Sequence, residues 1–214
     1  MIHMRGCDGE MFKKIAADAL GLSDIGTIIK PSDYDKTDAD DYVMHEDNEK
    51  IYFLIKTKAD EYCFTNLAVI HVDGESATSS KRTLKRYPYS QHRISGVLLE
   101  TAGKIDMDVE IKFTIGSNVF DIDVRKEQIE ELKDLYKALL RISEITYENE
   151  VKHNLATESF NKAVSVLQNS RTDDNQLPDT FKGLTEVGFQ WLLDAHEQYH
   201  MKDFGEIFEK YINN

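Results

Sequence analysis

From Lys50 onward, apolar and polar side chains alternate with a period of two. Ile51, Phe53 and Ile55 fall on one side of the chain and Tyr52 and Leu54 on the other, the pattern of a β-strand. "EYCFTN" and "LAVIHVDG" follow as two more strands, separated by little more than Thr65-Asn66. "SSKRTLKRYPY" and "RISGVLLETAG" are the next two. The clearest strand is 105–115. Ile105, Met107, Val109, Ile111, Phe113 and Ile115 share one face, and Asp106, Asp108, Glu110, Lys112 and Thr114 the other. "GSN" then turns the chain, after which Phe120, Ile122 and Val124 point inward and Asp121 and Asp123 outward. Matching the inward faces predicts the pairs Ile115–Phe120, Phe113–Ile122 and Ile111–Val124. The same register sets Lys112 opposite Asp123 and Glu110 opposite Arg125, each cross-strand charge pair contributing about 0.2–1 kcal/mol.

At Lys126 the period changes. Ile129, Leu132, Leu135/Tyr136, Leu139 and Ile142 follow helical spacing, and no Pro or Gly interrupts residues 126–170, so one long helix or two nearly collinear ones cover this stretch. "RTDDNQLPD" reads as a loop, and helical spacing resumes through Leu184, Val187, Gly188, Trp191, Leu192, Ala195 and Tyr199. "FGEIFEKYI" forms a terminal turn. Before the strands, "FKKIAADAL" reads as a short helix stopped by Gly21, and residues 31–49, rich in Asp, as a loop.

About seven consecutive short strands joined by tight turns imply antiparallel sheets folded on each other, an α+β arrangement rather than a parallel α/β sheet. The amphipathic helix from Lys126 plugs the open end of such a barrel with Leu132, Tyr136 and Leu139, and a helical hairpin follows it. Strands followed by one capping helix is the pleckstrin-homology (PH) order. "MFKKIAADALGLSDIG", the stretch from "KPSDYDKTDADDY" to "KRTLKRYPY", and "VEIKFTIG" closely resemble the bacterial PH-like proteins of the YvbH type. "FNKAVSVLQNSRT", "DTFKGL" and "WLLDAHEQYHMKDFGEIFEKYI" resemble that family's C-terminal helical oligomerisation region. The resemblance runs over nearly the whole chain from Met11. It implies a PH-like barrel, a helical extension and homo-oligomers, and it implies no substrate. The expected division is a tail at 1–10, a PH-like domain at 11–145 and a helical oligomerisation region at 146–214.

Composition narrows the partners. The net charge is −13, spread as −7 over residues 1–145 and −6 over 146–214. Such a field repels nucleic acid and anionic membranes at long range, so no nucleic-acid partner is expected. No apolar run is long enough to span a bilayer, and "MIHMRGCDGEMFKK" has no apolar core of a secretory signal. Two cysteines, Cys7 and Cys63, form no CxxC and no disulfide framework. The expected location is the reducing cytoplasm.

Four groups of residues carry candidate chemistry. His196, Glu197 and His200 spell H-E-x-x-H, the zincin pattern of two ligands and a base. A metzincin also needs Gly and a third His downstream. Asp203 and Glu206 stand there instead, so a zinc-dependent hydrolase ranks third. His196 and His200 lie with Phe189 and Leu193 on the flank of a stripe formed by Leu184, Gly188, Trp191, Ala195 and Tyr199, and this flank suits subunit contact. Asp33, Asp35, Thr37 and Asp41 imitate part of an EF-hand loop, but its Gly and terminal Glu positions hold Asp38 and Met44. Lys81, Arg82, Lys85 and Arg86 concentrate positive charge. They suit an anionic ligand or the acidic surface of a neighbouring subunit, and on a strand they split between two faces. Lipid-binding PH domains use basic residues on their first two strands and the intervening loop. Here that region is "KTKADEY", in which Asp60 and Glu61 follow Lys56 and Lys58 at once. His71, on a strand with Leu67 and Val69, reads as a half-buried strand residue. No residue is assigned to catalysis, a cofactor or a metal. The expectation is a non-enzymatic scaffold that self-assembles and holds a protein partner, with a peripheral phospholipid-binding module as runner-up. Trp191 is expected to be buried in the hairpin core or at a helical interface.

Overall fold

The computed structural model describes residues 24–74, 82–101, 108–168 and 177–212. The tail at 1–10, the helix at 12–20, Cys7, Lys81, Ile105 and Met107 lie outside them. The strands are β1 (Thr27–Ile28), β2 (Ile51–Lys56), β3 (Glu61–Thr65), β4 (Ala68–Gly74), β5 (Arg82–Pro88), β6 (Ile94–Glu100), β7 (Asp108–Ile115) and β8 (Asn118–Arg125). They form two antiparallel sheets, β1-β2-β3-β4-β5 and β6-β7-β8. The two-residue β1, too short to read from alternation, adds an eighth strand. Beside it, Gly26 bridges to Val124. The Gly26 N–H donates to Asp123 O at 2.7 Å and Arg125 N–H to Gly26 O at 3.1 Å, which ties the first sheet to the second. Aromatic side chains fill the space between the sheets: Phe64 meets Phe113 and Tyr87 meets Phe120, at centroid distances of 5.9 and 5.5 Å.

The β7–β8 hairpin has the predicted faces but a different register. Ile115 pairs with Asn118, Phe113 with Phe120, Ile111 with Ile122 and Val109 with Val124. The expected pairing was two residues out, a slip that keeps every side chain on its own face. The loop is only Gly116-Ser117, with Gly116 at φ +62°, the positive angle that the first central residue of a type II′ turn requires. This register stacks Phe113 on Phe120 with centroids 4.9 Å apart. It sets Lys112 opposite Asp121, 3.6 Å away, and Glu110 opposite Asp123 rather than Arg125.

Residues 31–49 are not the solvated loop that their composition suggests. Three 3-10 turns, Pro31–Lys36, Asp40–Tyr42 and His45–Asp47, lay Ala39 and Val43 against Leu54, Cys63, Ile70 and Val72. Two buried carboxylates fasten this cover. Glu61 accepts the Ala39 N–H at 2.7 Å. Glu49 accepts the Met44 N–H at 2.8 Å, an Arg86 N–H at 2.9 Å and the Thr65 hydroxyl. Because of this cover, Phe53, Leu54 and Ile55 are all buried despite pointing alternately to two faces.

After one 3-10 turn, helix α1 runs unbroken from Ile129 to Gln168. Its first part buries Leu132, Leu135, Ala138, Leu139 and Ile142. Leu135 takes the core position, while Tyr136 is half-buried. Gln128 pairs with the Ile28 backbone like a neighbouring strand, accepting its N–H at 2.8 Å and donating to its carbonyl at 3.0 Å. Helix α2 spans Leu177–Tyr199 and α3 spans Gly205–Ile212. The chain divides into two compact units. One holds the residues up to Ser143 together with the segment from Asp203, and the other is Glu144–Lys202.

The return of the last segment to the barrel differs from the expected division, which placed all of 146–214 in one helical region. Phe204 and Phe208 are fully buried. They pack on Tyr89 at 5.5 and 6.2 Å, and Phe208 stacks on Tyr52 at 5.4 Å. Asp203 accepts the Gly205 N–H at 2.7 Å and the Asn66 side-chain amide at 2.7 Å, and Phe204 N–H donates to Asn66 O at 2.8 Å. Asp203 thus caps α3 and anchors it to the β3–β4 turn. The Tyr52 hydroxyl donates to Glu209 at 2.9 Å. Burial, then this bond, push its pKa up to about 12. The segment 203–212 is a C-terminal clasp on the barrel. No helix among the described residues is long and apolar enough to cross a membrane.

Candidate functional site

The Glu144–Lys202 unit is a helical hairpin of the second part of α1 and the whole of α2. α2 opens with Pro178 in its first turn, where the missing N–H costs no hydrogen bond, and Asp179 beside it favours the positive helix end. Gly188 and Ala195 are buried, with Leu184, Leu192 and Tyr199 partly so, which is the expected stripe with Leu192 in the place of Trp191. Gly188 sits directly against the Phe160 ring, where any Cβ would collide with it. Small residues on α2 therefore let the aromatic ring of α1 seat between the helices.

This contact uses only part of the apolar surface. Phe189 is 68 % exposed and Phe181 70 % exposed, and Leu193 and Val187 are also open to solvent. On α1, Tyr147, Val151 and Leu155 recur every four residues and are all exposed, on the side of that helix opposite His153, Ala156 and Phe160. Trp191 is 50 % exposed, and its indole N–H donates to Ala156 O at 3.4 Å. Within the single chain it is therefore a rim residue of the hairpin and not a core residue.

His196 and His200 lie on the same flank as Phe189 and Leu193. Their rings stack, with centroids 4.5 Å apart, and His153 of α1 meets His196 edge-on at 6.1 Å. Burial, then His196, Lys202 and His153, hold the His200 pKa below its ordinary value. Asp203, at the metzincin glycine position, is taken up with capping α3. Among the described residues no group of three or more His, Cys, Asp or Glu is arranged to hold a metal ion.

The basic strand is split between faces, and its cations meet carboxylates of their own chain. Arg82 lies 3.3 Å from Asp38 and Arg86 2.9 Å from Glu49, both on the cover segment, while Lys85 lies 2.7 Å from Asp73 on β4. Lys56, on the strand where a PH domain would hold lipid, is paired with Glu61. The hydrogen bond from Lys85 is the main cause lowering the Asp73 pKa. The acidic stretch that imitates an EF-hand is likewise engaged. Asp33 pairs with Lys36, and the Thr37 hydroxyl donates to Tyr34 O at 2.7 Å. His71 lies 3.2 Å from Asp60 and stacks on Tyr62 at 4.6 Å.

The sequence profile of the Bacterial PH domain family matches residues 19–143, from before β1 to the end of the α1 plug. The chain belongs to the bacterial PH-domain family. A second profile, the YvbH-like oligomerisation region, matches residues 154–214 of this PH-domain protein. Over 204 residues it is 72 % identical to a Bacillus subtilis (strain 168) protein named Uncharacterized protein YvbH, covering 95 % of this chain and all of that one. A second B. subtilis protein, Uncharacterized protein YjqA, is 30 % identical over 97 residues, 45 % of this chain and 76 % of that one. A crystal structure of a PH-domain-containing bacterial protein from Exiguobacterium sibiricum 255-15 is similar with a TM-score of 0.80 and 53 % identity. It covers 88 % of this chain and 100 % of that one.

The oligomerisation profile therefore covers two physically different pieces of this PH-domain protein. One is the hairpin, with its open apolar faces, and the other is the clasp, whose Phe204 and Phe208 are spent on the barrel. The sequence marked "FGEIFEKYI" only as a terminal turn and did not single out Phe208. The signal was the steep amphipathicity of "FGEIFEKYI", which shows that a helix needs cover but not which surface covers it. His153 was missed because a lone histidine inside a forty-residue helix has no local pattern.

Proposed function

We propose that this bacterial PH-domain protein acts without catalysis, as a cytoplasmic scaffold that self-assembles through its helical hairpin and uses the barrel to hold a protein partner. The observation that carries the reading is the hairpin's unused apolar surface. Phe181, Phe189 and Leu193 on α2 and Tyr147, Val151 and Leu155 on α1 remain in water although the inner stripe is already packed. Exposed apolar surface of this kind, here one patch on each helix, marks an interaction site, and most of these residues lie within the stretch matched as an oligomerisation region. A second copy supplies the same surface and buries it symmetrically. The non-catalytic part is supported by the employment of the polar groups. Glu49 and Glu61 fasten the cover, Asp203 caps the clasp, and the basic strand is neutralised by Asp38, Glu49 and Asp73. That neutralisation also engages Arg82, Lys85 and Arg86, three of the cations on which the phospholipid reading would draw.

Sedimentation equilibrium of the full chain tests this. The expected result is a reversible oligomer at micromolar concentration, shifted toward smaller species by Phe189→Ser with Leu193→Ser. An unchanged association constant in that double variant would remove the hairpin from the interface.

A further inference from the structure

His153, His196 and His200 form a contact cluster with unusual electrostatics. His196 and His200 stack almost face to face, with 21° between their planes, and His153 closes on His196 from the facing helix. Among the described residues the histidine ion pairs are those of His45 with Asp40 and His71 with Asp60. Among the described residues the three hairpin rings make ring contacts and no hydrogen bond or ion pair. The groups that act on His200 are His196 of α2, Lys202 of the following segment and His153 of α1. All are cations when protonated, and no carboxylate is among them. As neutral rings the three imidazoles pack like any aromatic group. Once two are protonated, like charges face each other across a few ångströms, and none of these rings is ion-paired with a carboxylate among the described residues. The cluster also lies on the flank that carries Phe189 and Leu193, so charge placed there enters the surface assigned to self-association.

We propose that the His153–His196–His200 cluster makes the hairpin, and the self-association assigned to it, labile to mild acid. The inference rests on the hairpin being the association surface. The sign follows from the neutral form being the one that packs. The His200 pKa is depressed in the folded chain from an ordinary 6.5, by burial first and then by the neighbouring positive groups. Its contribution to stability is therefore complete above the unfolded value. It is lost as pH falls below that value and through the lowered folded one.

The test measures the association constant of the full chain at pH 7.5 and pH 5.5 in a chelating buffer. It is run on the wild type, on His200→Gln alone, and on His153→Gln/His196→Gln/His200→Gln. The wild type is expected to weaken at the lower pH, by up to about tenfold for each proton linked to the change. The triple variant is expected to hold its neutral-pH constant, with the single variant between them. Circular dichroism at both pH values checks that the variants keep their helix. Equal weakening of wild type and triple variant, or none in either, would overturn the proposal while leaving hairpin association intact. A monomeric wild type at both pH values would overturn both.

Discussion

The barrel unit and the hairpin are cut from one chain and treat their aromatic residues in opposite ways. In the barrel unit Phe64, Phe113, Phe204 and Phe208 are fully buried, and even the outer face of the first sheet is covered by residues 31–49. In the hairpin Phe181, Phe189 and Trp191 are half or more in water. In the barrel unit two added pieces, the Ala39–Val43 cover and the Phe204–Phe208 clasp, bury surfaces that the short strands leave open. Two helices have only one mutual interface, and a unit that small cannot bury a sizeable core by itself. The difference separates surfaces that the chain covers itself from surfaces that it leaves in water.

The contrast breaks most sharply at the clasp. Deleting 146–214 removes the clasp along with the hairpin, so it does not yield an intact barrel. A chain ending at Lys202, or Phe208→Ala in the full chain, exposes Tyr52 and Tyr89. Each large-to-small change at a buried Phe costs about 3–5 kcal/mol. Chemical denaturation should show this loss in the barrel transition, whereas Phe189→Ala should leave that transition within about 0.5 kcal/mol. A barrel indifferent to Phe208→Ala would mean that the clasp is only loosely docked.

The cover gives the next largest effect. Glu49→Ala leaves Arg86 with a partly buried, uncompensated charge, and breaking such a pair costs about 3–5 kcal/mol when fully buried. The expected loss lies toward the lower end, because the Arg86 side chain keeps 24 % of its exposure. Urea melts of Glu49→Ala and Arg86→Ala should show comparable losses, and the double variant should lose less than their sum. Full additivity would separate the two residues.

The smallest expected effect is on lipid. Since Arg82, Lys85 and Arg86 already face Asp38, Asp73 and Glu49, Arg82→Glu should leave sedimentation with anionic vesicles at physiological salt unchanged and weak. Tight, headgroup-selective binding abolished by Arg82→Glu would reinstate the phospholipid reading.

Periodicity made most of the fold legible. The strands from β2 to β8, the helical stretch of α1 and most of the inner stripe of α2 follow from spacing, most cleanly in β7 and β8, which bury one regular face. Three features escaped for physical reasons. β1 is two residues long, below any period. The β7–β8 register turned on loop length, and a two-residue slip leaves the hydrophobic pattern identical. The cover and the clasp are short irregular or terminal segments whose apolar residues, Ala39, Val43, Phe204 and Phe208, declare a need for burial without naming the surface. The candidate site was legible in part. The flank of Phe189, Leu193, His196 and His200 was visible as a second face, whereas His153 joins it only through the antiparallel return of α1 and α2. The cations of β5 were visible as a cluster, but their acids lie on distant stretches of chain.

The central claim, that the hairpin's wet apolar surface exists to meet a second copy, is tested most directly by the mass of the full chain in solution. Light scattering at micromolar concentration and pH 7.5 should return a multiple of the 24.6 kDa chain mass. Phe189→Asp with Leu193→Asp should bring that mass down while the barrel stays folded. A full-length chain that runs as a 24.6 kDa monomer under the same conditions would contradict the account.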